Sequence, residues 1–317
     1  MQVIGKKLKE SLMLTRLRML RPVNLVIIAL TQFLVRYCII MPAFITEFNN
    51  TGVFPEHLNK FEFFLLLFAT LTIAAGGYII NDVFDIHIDA MNKPGRNAVG
   101  KIISVQSASV TAYLLFTLGS IMGIILSIRA HALAMGFLLP FSAVSLYMYS
   151  SYFKRRPLTG NMIIALLSAL SVLIVALFEP HFYPNIQFVL IYAVFAFIIS
   201  LIREIIKDAE DMDGDERDQC KTFPILYGIR RTKMLLNGLI SINLVIICFF
   251  LSLYFYNNAV ISFWYLVGLF AIPFVALGYL VSSAETKKDF HYASSFAKFV
   301  MLYGILTMIP FYWYFLK

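Results

Sequence analysis

Long apolar segments recur along the whole chain, and they constrain the fold more than any other feature. A helix that crosses a bilayer needs about 20 mostly apolar residues, and nine such segments can be drawn. They run roughly over 22–46, 61–80, 104–128, 130–152, 159–178, 186–206, 234–256, 260–281 and 296–315. Because the runs are continuous and do not alternate, they favour helices over a membrane β-barrel. The sequence therefore predicts an all-α polytopic membrane protein with nine transmembrane helices.

Composition supports this fold class and indicates which kinds of partner to expect. Of the 317 residues, 60% are hydrophobic and 14% are charged, which is more apolar surface than a soluble domain of this length can bury. The net charge of +8 would suggest nucleic acid for a soluble protein, but here the basic residues act as topology signals, and no nucleic-acid partner is expected. The three cysteines, Cys38, Cys220 and Cys248, form no CxxC pair and are predicted to be unpaired and not metal ligands.

The distribution of lysine and arginine predicts the orientation. These residues concentrate in the N-terminal arm and in the loops after the second, fourth, sixth and eighth apolar segments. Only Arg36, Lys60, Arg129 and Lys317 fall elsewhere. Since cytoplasmic loops carry the excess of basic residues, we expect the N-terminus and these loops to be cytoplasmic, in the inner or plasma membrane, and the C-terminus to be outside. We expect one domain over residues 1–317, with the basic amphipathic residues 1–21 as an interfacial arm.

More than half of the 18 acidic residues lie in two short segments, each at the predicted cytoplasmic end of an apolar segment. The two segments share the spacing D-x2-D-x3-D. We name as the first row Asn81, Asp82, Asp85 and Asp89, and as the second row Glu204, Asp208, Asp211 and Asp215. Because the two rows lie four spans apart, the repeat predicts two related four-helix halves plus a ninth helix, with a site formed where the halves meet.

Helical spacing places the acids of each row on one helix face. Like charges stacked in this way repel unless cations neutralise them, which an ordinary solvated acidic loop would not require. Oxygen ligands without histidine or cysteine suit Mg2+ or Ca2+ better than zinc. His87 points away from the acid face, and we assign it a surface or capping role.

The rows also suggest a phosphate-bearing substrate. Mg2+ prefers a few carboxylates together with phosphate oxygens and water, so a diphosphate could bridge ions held by the two rows, and the ions would neutralise the charge that builds up as diphosphate leaves an allylic carbon. Four basic residues near the rows are candidates for binding the diphosphate. They are Lys93, Arg96, Lys154 and Arg203. A simple topology role is equally compatible with each of them.

The segment from Asn81 to Asp89 resembles the NDxxDxxxD motif of the UbiA family of membrane prenyltransferases, and REIIKDAEDMDGD, from Arg203 to Asp215, resembles its second motif. The Arg21-Pro22-x-Asn24 segment and the Gly160-Asn161 pair also match, so the resemblance covers nearly the whole chain. It implies nine helices around a central cavity, with both motifs cytoplasmic. It implies the main Mg2+ ligands Asn81, Asp85, Asp211 and Asp215, supporting roles for Asp82, Asp89, Glu204 and Asp208, catalytic roles for Asp85, Asp211 and Asp215, and a pocket position for Asn24.

The REIIKDxED form is most similar to the digeranylgeranylglyceryl phosphate synthase branch. This resemblance implies geranylgeranyl transfer from a prenyl diphosphate to a glycerol-phosphate ether lipid precursor. The sequence departs from the family at Lys93-Pro94-Gly95-Arg96-Asn97, which lacks the Arg-Pro often seen there. An aromatic acceptor, as in quinone or heme biosynthesis, is the alternative. A transporter of divalent cations or substrates is a different class, and it would require acids near the bilayer midplane.

Overall fold

A computed structural model describes residues 17–55, 57–92, 97–254, 268 and 271–313, which form helices, turns and one isolated bridge between Val99 and Ile103. The main helices, in chain order, are α1 (Pro22–Leu34), α2 (Met41–Thr51), α3 (Lys60–Phe84), α4 (Ile86–Asn92), α5 (Val105–Arg129), α6 (Leu138–Ser151), α7 (Thr159–Leu177), α8 (Ile186–Glu210), α9 (Met212–Arg217), α10 (Phe223–Tyr254), α11 (Ile272–Ser283), α12 (Lys287–Leu306) and α13 (Met308–Phe311). A π-helical turn, Val35–Ile40, joins α1 to α2, and 3-10 turns lie at Leu133–Met135, Phe153–Arg155 and Pro180–Asn185.

Eight helical stretches within the described residues are long and apolar enough to cross a membrane. They are Pro22–Thr51, Lys60–Phe84, Val105–Arg129, Leu133–Ser151, Thr159–Leu177, Ile186–Glu210, Phe223–Phe249 and Lys287–Phe311. The shorter apolar helix α11 overlaps the predicted eighth span, and residues 260–267, 269 and 270 of that span lie outside the described residues. Residues 1–16 of the predicted arm also lie outside them. The all-α membrane architecture is confirmed, and the count of nine stays a prediction.

Two helices begin earlier than their apolar segments, and local capping explains one of them. Helix α12 begins at Lys287, well before residue 296, because Thr286 and Asp289 form a capping box: the Thr286 hydroxyl accepts from the Asp289 N–H, and the Asp289 carboxylate accepts from the Thr286 N–H. Helix α10 begins at Phe223, well before residue 234. It contains a break at Gly228, whose φ of 79° and ψ of 162° suit a residue without a Cβ.

The chain divides into two compact units, and unit 1 comprises Met1–Leu30 and Leu58–Phe153. In this unit α3 packs against α5 and α6. The approach of α5 to α3 is close at Gly119, where an added Cβ would lie 2.9 Å from the Ala69 carbonyl oxygen and 2.8 Å from the Ile73 side chain. Small residues allow helix backbones to approach in this way within a membrane. This packing fixes α3, whose last turn carries Asn81 and Asp82 of the first row.

Unit 2 comprises Thr31–His57 and Lys154–Lys317. Its central helix is α8, which packs against α7, α10 and α12. The ring of Phe195 on α8 stacks edge-on against Phe274 at a centroid distance of 5.9 Å, and it fills the space where a Cβ on Gly304 of α12 would stand. Helix α8 carries Glu204 and Asp208 of the second row, so this core holds that part of the row in place.

Candidate active site

The first row spans a helix break that the sequence did not predict. Helix α3 ends at Phe84, Asp85 takes φ −91° and ψ 7°, and α4 begins at Ile86. The helical spacing nevertheless continues, because the Asp85 N–H donates to the Asn81 carbonyl at 2.9 Å and the Asp89 N–H donates to the Asp85 carbonyl at 2.8 Å. Asn81, Asp85 and Asp89 therefore remain one turn apart, as the sequence spacing predicts.

The second row has the same break at its corresponding aspartate. Helix α8 ends at Glu210, Asp211 takes φ −98° and ψ 8°, and α9 begins at Met212. The Asp211 N–H donates to the Lys207 carbonyl at 2.9 Å, and the Asp215 N–H donates to the Asp211 carbonyl at 3.1 Å. Short polar side chains compete with the backbone for hydrogen bonds and favour helix ends. The shared D-x2-D-x3-D spacing thus corresponds to a shared backbone geometry.

Neutral amides hold two carboxylates of the first row. The Asn81 Nδ2 donates to the Asp85 Oδ2 at 2.6 Å, and the Nδ2 of Asn97 donates to the Asp89 Oδ2 at 2.9 Å. An ionised carboxylate only accepts hydrogen bonds, so each amide must present its nitrogen, and the amide oxygen of Asn81 points elsewhere. An amide orients a carboxylate without bringing a positive charge of its own.

Asp82 differs, because an arginine holds it. The Arg21 Nη2 lies 2.7 Å from the Asp82 Oδ1, and the guanidinium also lies over the ring of Tyr78, 5.1 Å from its centroid. Burial alone would lower the pKa of the Arg21 guanidinium, but the charge of Asp82 and the hydrogen bond to it hold that pKa above its ordinary value. The contact neutralises Asp82 and ties the residue that precedes α1 to the end of α3.

The second row is held from two sides. The Asn161 Nδ2, in the first turn of α7, donates to the Asp208 Oδ2 at 2.8 Å. Glu204 is buried and bridges two cations, with Arg203 Nη1 at 2.8 Å from Oε1 and Lys207 Nζ at 2.9 Å from Oε2. The predicted diphosphate ligand Arg203 is therefore paired with an acid of its own helix.

Two loops meet beside the second row. The Lys221 N–H donates to the Arg155 carbonyl at 2.9 Å, and the Arg155 Nη2 lies 2.9 Å from the Asp218 Oδ2. These contacts fix the 3-10 turn Phe153–Arg155, which contains the predicted diphosphate ligand Lys154, against the loop that follows Asp215. The other two predicted diphosphate ligands, Lys93 and Arg96, lie outside the described residues.

The structure also places the other residues that the sequence analysis singled out. Asn24 lies in the first turn of α1, where its N–H donates to the Arg21 carbonyl at 2.8 Å. His87 is exposed, as expected for a residue away from the acid face. All three cysteines are free. Burial and the charge of Asp215 raise the pKa of Cys220 to about 11, so at neutral pH it is a thiol and not the thiolate that binds metals.

The side chains of the two rows suit a hard cation that keeps most of its ligands from water and substrate. The rows offer carboxylate and amide oxygens, which suit Mg2+. Within the part of the chain that the structure describes, no three His, Cys, Asp or Glu side chains converge closely enough to hold a metal by themselves. Mg2+ usually keeps several waters and binds through one or two carboxylates together with substrate phosphates. The arrangement therefore suits Mg2+ that arrives with a phosphate-bearing substrate, and not a closed protein cage.

Comparison with known proteins decides the family. The sequence pattern of the UbiA prenyltransferase family matches residues 48–313. The chain belongs to this family. It is an enzyme of the prenyltransferase class. This confirms the resemblance found in the sequence motifs and the prediction of a multi-span membrane protein.

Named relatives and solved UbiA structures agree with this assignment. Digeranylgeranylglyceryl phosphate synthase from Sulfurisphaera tokodaii is 32% identical over 249 residues, which cover 78% of this chain and 83% of that protein. The synthase of the same name from Sulfolobus acidocaldarius is 36% identical over 250 residues, covering 78% and 84%. The structure of a UbiA homolog from Archaeoglobus fulgidus bound to DMAPP and Mg2+ has a TM-score of 0.57 at 18% identity, covering 93% of this chain and 99% of that chain, and it shows that the fold is shared.

Proposed function

We propose that this UbiA prenyltransferase carries out Mg2+-dependent transfer of a geranylgeranyl group from its diphosphate to the hydroxyl of a glycerol-phosphate ether lipid precursor. The acceptor is supported by the relatives named above, which are digeranylgeranylglyceryl phosphate synthases. Mg2+ and a prenyl diphosphate are supported by the A. fulgidus UbiA homolog that binds both. The observation in this chain that carries the proposal is the pair of aspartate rows with matched helix breaks and amide-held carboxylates.

Each row would supply a few oxygen ligands for Mg2+. In the first row we assign Asn81, Asp85 and Asp89 to the metal, with Asp82 in support through its contact with Arg21. In the second row we assign Asp208, Asp211 and Asp215. When bound, Mg2+ neutralises the charge that develops on the departing diphosphate. Lys154 and Arg203, together with Lys93 and Arg96, would bind diphosphate oxygens as cationic donors.

The acceptor hydroxyl must lose its proton close to the moment of attack, whereas an aromatic acceptor would lose a ring proton afterwards. A hydroxyl acceptor therefore requires a base within hydrogen-bond reach, and a carboxylate of one of the rows could serve as this base. The prenyl chain is apolar and would lie among the helices, where ring faces can stabilise a developing carbocation.

We further propose that the chain is one domain over residues 1–317, with an interfacial arm at residues 1–21. We place the N-terminus and both rows on the cytoplasmic side and the C-terminus outside. The distribution of lysine and arginine along the sequence supports this orientation. Cysteine accessibility in sealed vesicles tests it: a cysteine that replaces exposed Gln106 should react from the cytoplasmic face only.

The deciding experiment measures release of diphosphate from a radiolabelled prenyl diphosphate by purified protein in membranes. Asp85→Ala and Asp211→Ala should abolish Mg2+-dependent turnover, while His87→Ala, an exposed position on the same short helix as Asp89, should leave turnover unchanged. Full turnover by both aspartate variants would contradict the assignment of the two rows to the metal site.

A panel of acceptors identifies the second substrate. Glycerol-phosphate ethers, hydroxybenzoate, dihydroxynaphthoate and heme would be offered with several prenyl lengths. We expect product with the glycerol-phosphate ether alone, and product with an aromatic acceptor instead would favour the quinone or heme alternative. Flux of divalent cations into liposomes without product formation would indicate a transporter.

A further inference from the structure

Asn97 lies outside both rows, in the segment that follows α4, and its side chain makes three hydrogen bonds. The Nδ2 donates to the Asp89 Oδ2 at 2.9 Å and to the backbone carbonyl of Asp82 at 2.8 Å, and the Oδ1 accepts from the Val99 N–H at 3.0 Å. A primary amide has two N–H donors and one carbonyl acceptor. Both donors of Asn97 are therefore directed at the first row.

The three contacts have separable roles. The bond from Val99 N–H to Oδ1 closes a local turn of the kind that asparagine and aspartate both form. The two donations are not local, because they reach back to residues on either side of the break at Asp85. The Asp82 carbonyl belongs to the last turn of α3, where carbonyls run short of donors from their own helix. Asn97 thus spans the break and joins the end of α3 to α4.

The charge of the donor matters as much as its position. Arg21 brings a positive charge to Asp82, whereas Asn97 brings none to Asp89. A neutral donor fixes the direction of a carboxylate and leaves its negative charge in place.

We propose that Asn97 is a positioning residue for the metal: it orients the Asp89 carboxylate and clamps the break at Asp85, and so sets the affinity of the first row for Mg2+. The inference rests on the proposed function, since it takes the first row to bind Mg2+. Asn97 itself touches neither substrate nor metal in this scheme. Its effect should appear in the Mg2+ dependence, while turnover at saturating Mg2+ changes little.

Asn97→Asp is the sharpest test because it is isosteric. The aspartate still accepts from the Val99 N–H and keeps the turn, but it loses both donations and faces Asp89 with a like charge. Because hydrogen bonds to charged groups are among the stronger ones, we expect the half-saturating Mg2+ concentration to rise by about tenfold or more. We expect kcat at saturating Mg2+ to stay near that of the wild type.

Asn97→Ser provides a second variant, since its hydroxyl still accepts from Val99 N–H but is too short to reach Asp89. It adds no charge, so we expect a smaller increase of a few-fold in the Mg2+ requirement. Gln106→Glu is the matched control, because it makes the same change of charge at an exposed position early in α5, and its Mg2+ requirement should equal that of the wild type.

Metal binding is also measured without turnover, from the loss of the free Mn2+ signal in electron paramagnetic resonance when purified protein is added to Mn2+ and a prenyl diphosphate in the absence of acceptor. Weaker Mn2+ binding by Asn97→Asp and Asn97→Ser than by Gln106→Glu supports the inference. If both Asn97 variants bind Mn2+ and respond to Mg2+ as the wild type does, Asn97 has no positioning role. That result would leave the proposed function intact as long as Asp85→Ala abolishes turnover, and an active Asp85→Ala would count against the proposed function instead.

Discussion

Arg36 and Glu179 form an ion pair inside unit 2, and we predict that removing either partner destabilises the protein far more than removing an exposed pair. The Arg36 Nη1 lies 2.7 Å from the Glu179 Oε1, and the two side chains are 3% and 0% exposed. Two unit charges about 4 Å apart attract by about 4 kcal/mol at an effective dielectric constant of about 20. Each charge also loses several kcal/mol of hydration on burial. The attraction between the two paired charges roughly offsets this loss of hydration. When one partner is removed, the other keeps the loss of hydration without that attraction.

We therefore expect Arg36→Met and Glu179→Leu each to lower the free energy of unfolding by about 3–5 kcal/mol. At about 2 °C per kcal/mol, this corresponds to a fall of roughly 6–10 °C in Tm. The double variant removes both charges and should recover most of the loss, because apolar side chains of similar volume can replace a buried pair at little cost. The measurement is thermal unfolding of the purified protein in detergent, followed by intrinsic fluorescence.

The exposed pair between Arg155 and Asp218 is the control. Its Nη2 to Oδ2 distance of 2.9 Å is similar, but the side chains are 53% and 21% exposed. Solvent-exposed pairs contribute about 0–1 kcal/mol, so Arg155→Met should change Tm by no more than about 2 °C. The reasoning is refuted if Arg36→Met is no more harmful than Arg155→Met. It is also refuted if the Arg36 and Glu179 changes simply add in the double variant.

Three further predictions concern local packing, charge and capping, and thermal unfolding measures each of them. Gly119→Ala should destabilise by about 1–3 kcal/mol because the added Cβ meets a backbone carbonyl of α3, whereas Gly238→Ala, whose Cβ meets nothing within 4 Å, should gain up to about 1 kcal/mol. Arg21→Gln should cost about 1–3 kcal/mol by leaving Asp82 without its cation. Since the folded-state pKa of Arg21 is raised, the stabilisation is fully present below the ordinary arginine pKa, so the loss should be equal at about pH 7 and about pH 9. Thr286→Ala should cost about 1 kcal/mol by removing the cap of α12.

The features that the sequence predicted well are those that depend on short sequence separations. The one-turn spacing of Asn81, Asp85 and Asp89 follows from the helical period, and the structure keeps it through backbone hydrogen bonds even across the break at Asp85. The apolar segments likewise follow from the thickness of the bilayer, which is why the eight spanning stretches overlap their predicted segments, although α10 and α12 begin earlier.

The features that the sequence did not predict depend on residues far apart in the chain. Arg21 lies 61 positions from Asp82, and Asn161 lies 47 positions from Asp208. An asparagine has no charge and so does not appear in the charge pattern of the sequence, and its role emerges only when packing brings it to a carboxylate. The helix breaks were missed for another reason: an aspartate at a helix end and one inside a helix have the same spacing in sequence, and only the backbone angles distinguish them.

Backbone geometry strengthens the internal repeat that the aspartate spacing first indicated. A residue other than glycine with positive φ stands directly before α1 and again before α7: Arg21 at 50° and Leu158 at 59°. His131 and Gln219 also have positive φ. Of the four residues, only Arg21 and Leu158 are followed three positions later by an asparagine, Asn24 or Asn161. The resemblance between the two segments therefore extends from the rows to the starts of α1 and α7.

The ion pairs differ between the two rows, whereas the backbone geometry is shared. In the first row Arg21, which precedes α1, pairs with Asp82. In the second row Arg203 and Lys207 both pair with Glu204, a single carboxylate on their own helix. The aspartate spacing and the helix breaks at Asp85 and Asp211 are nevertheless the same in both rows. A common geometry of oxygen ligands of the kind that Mg2+ prefers supports the proposal that each row binds Mg2+.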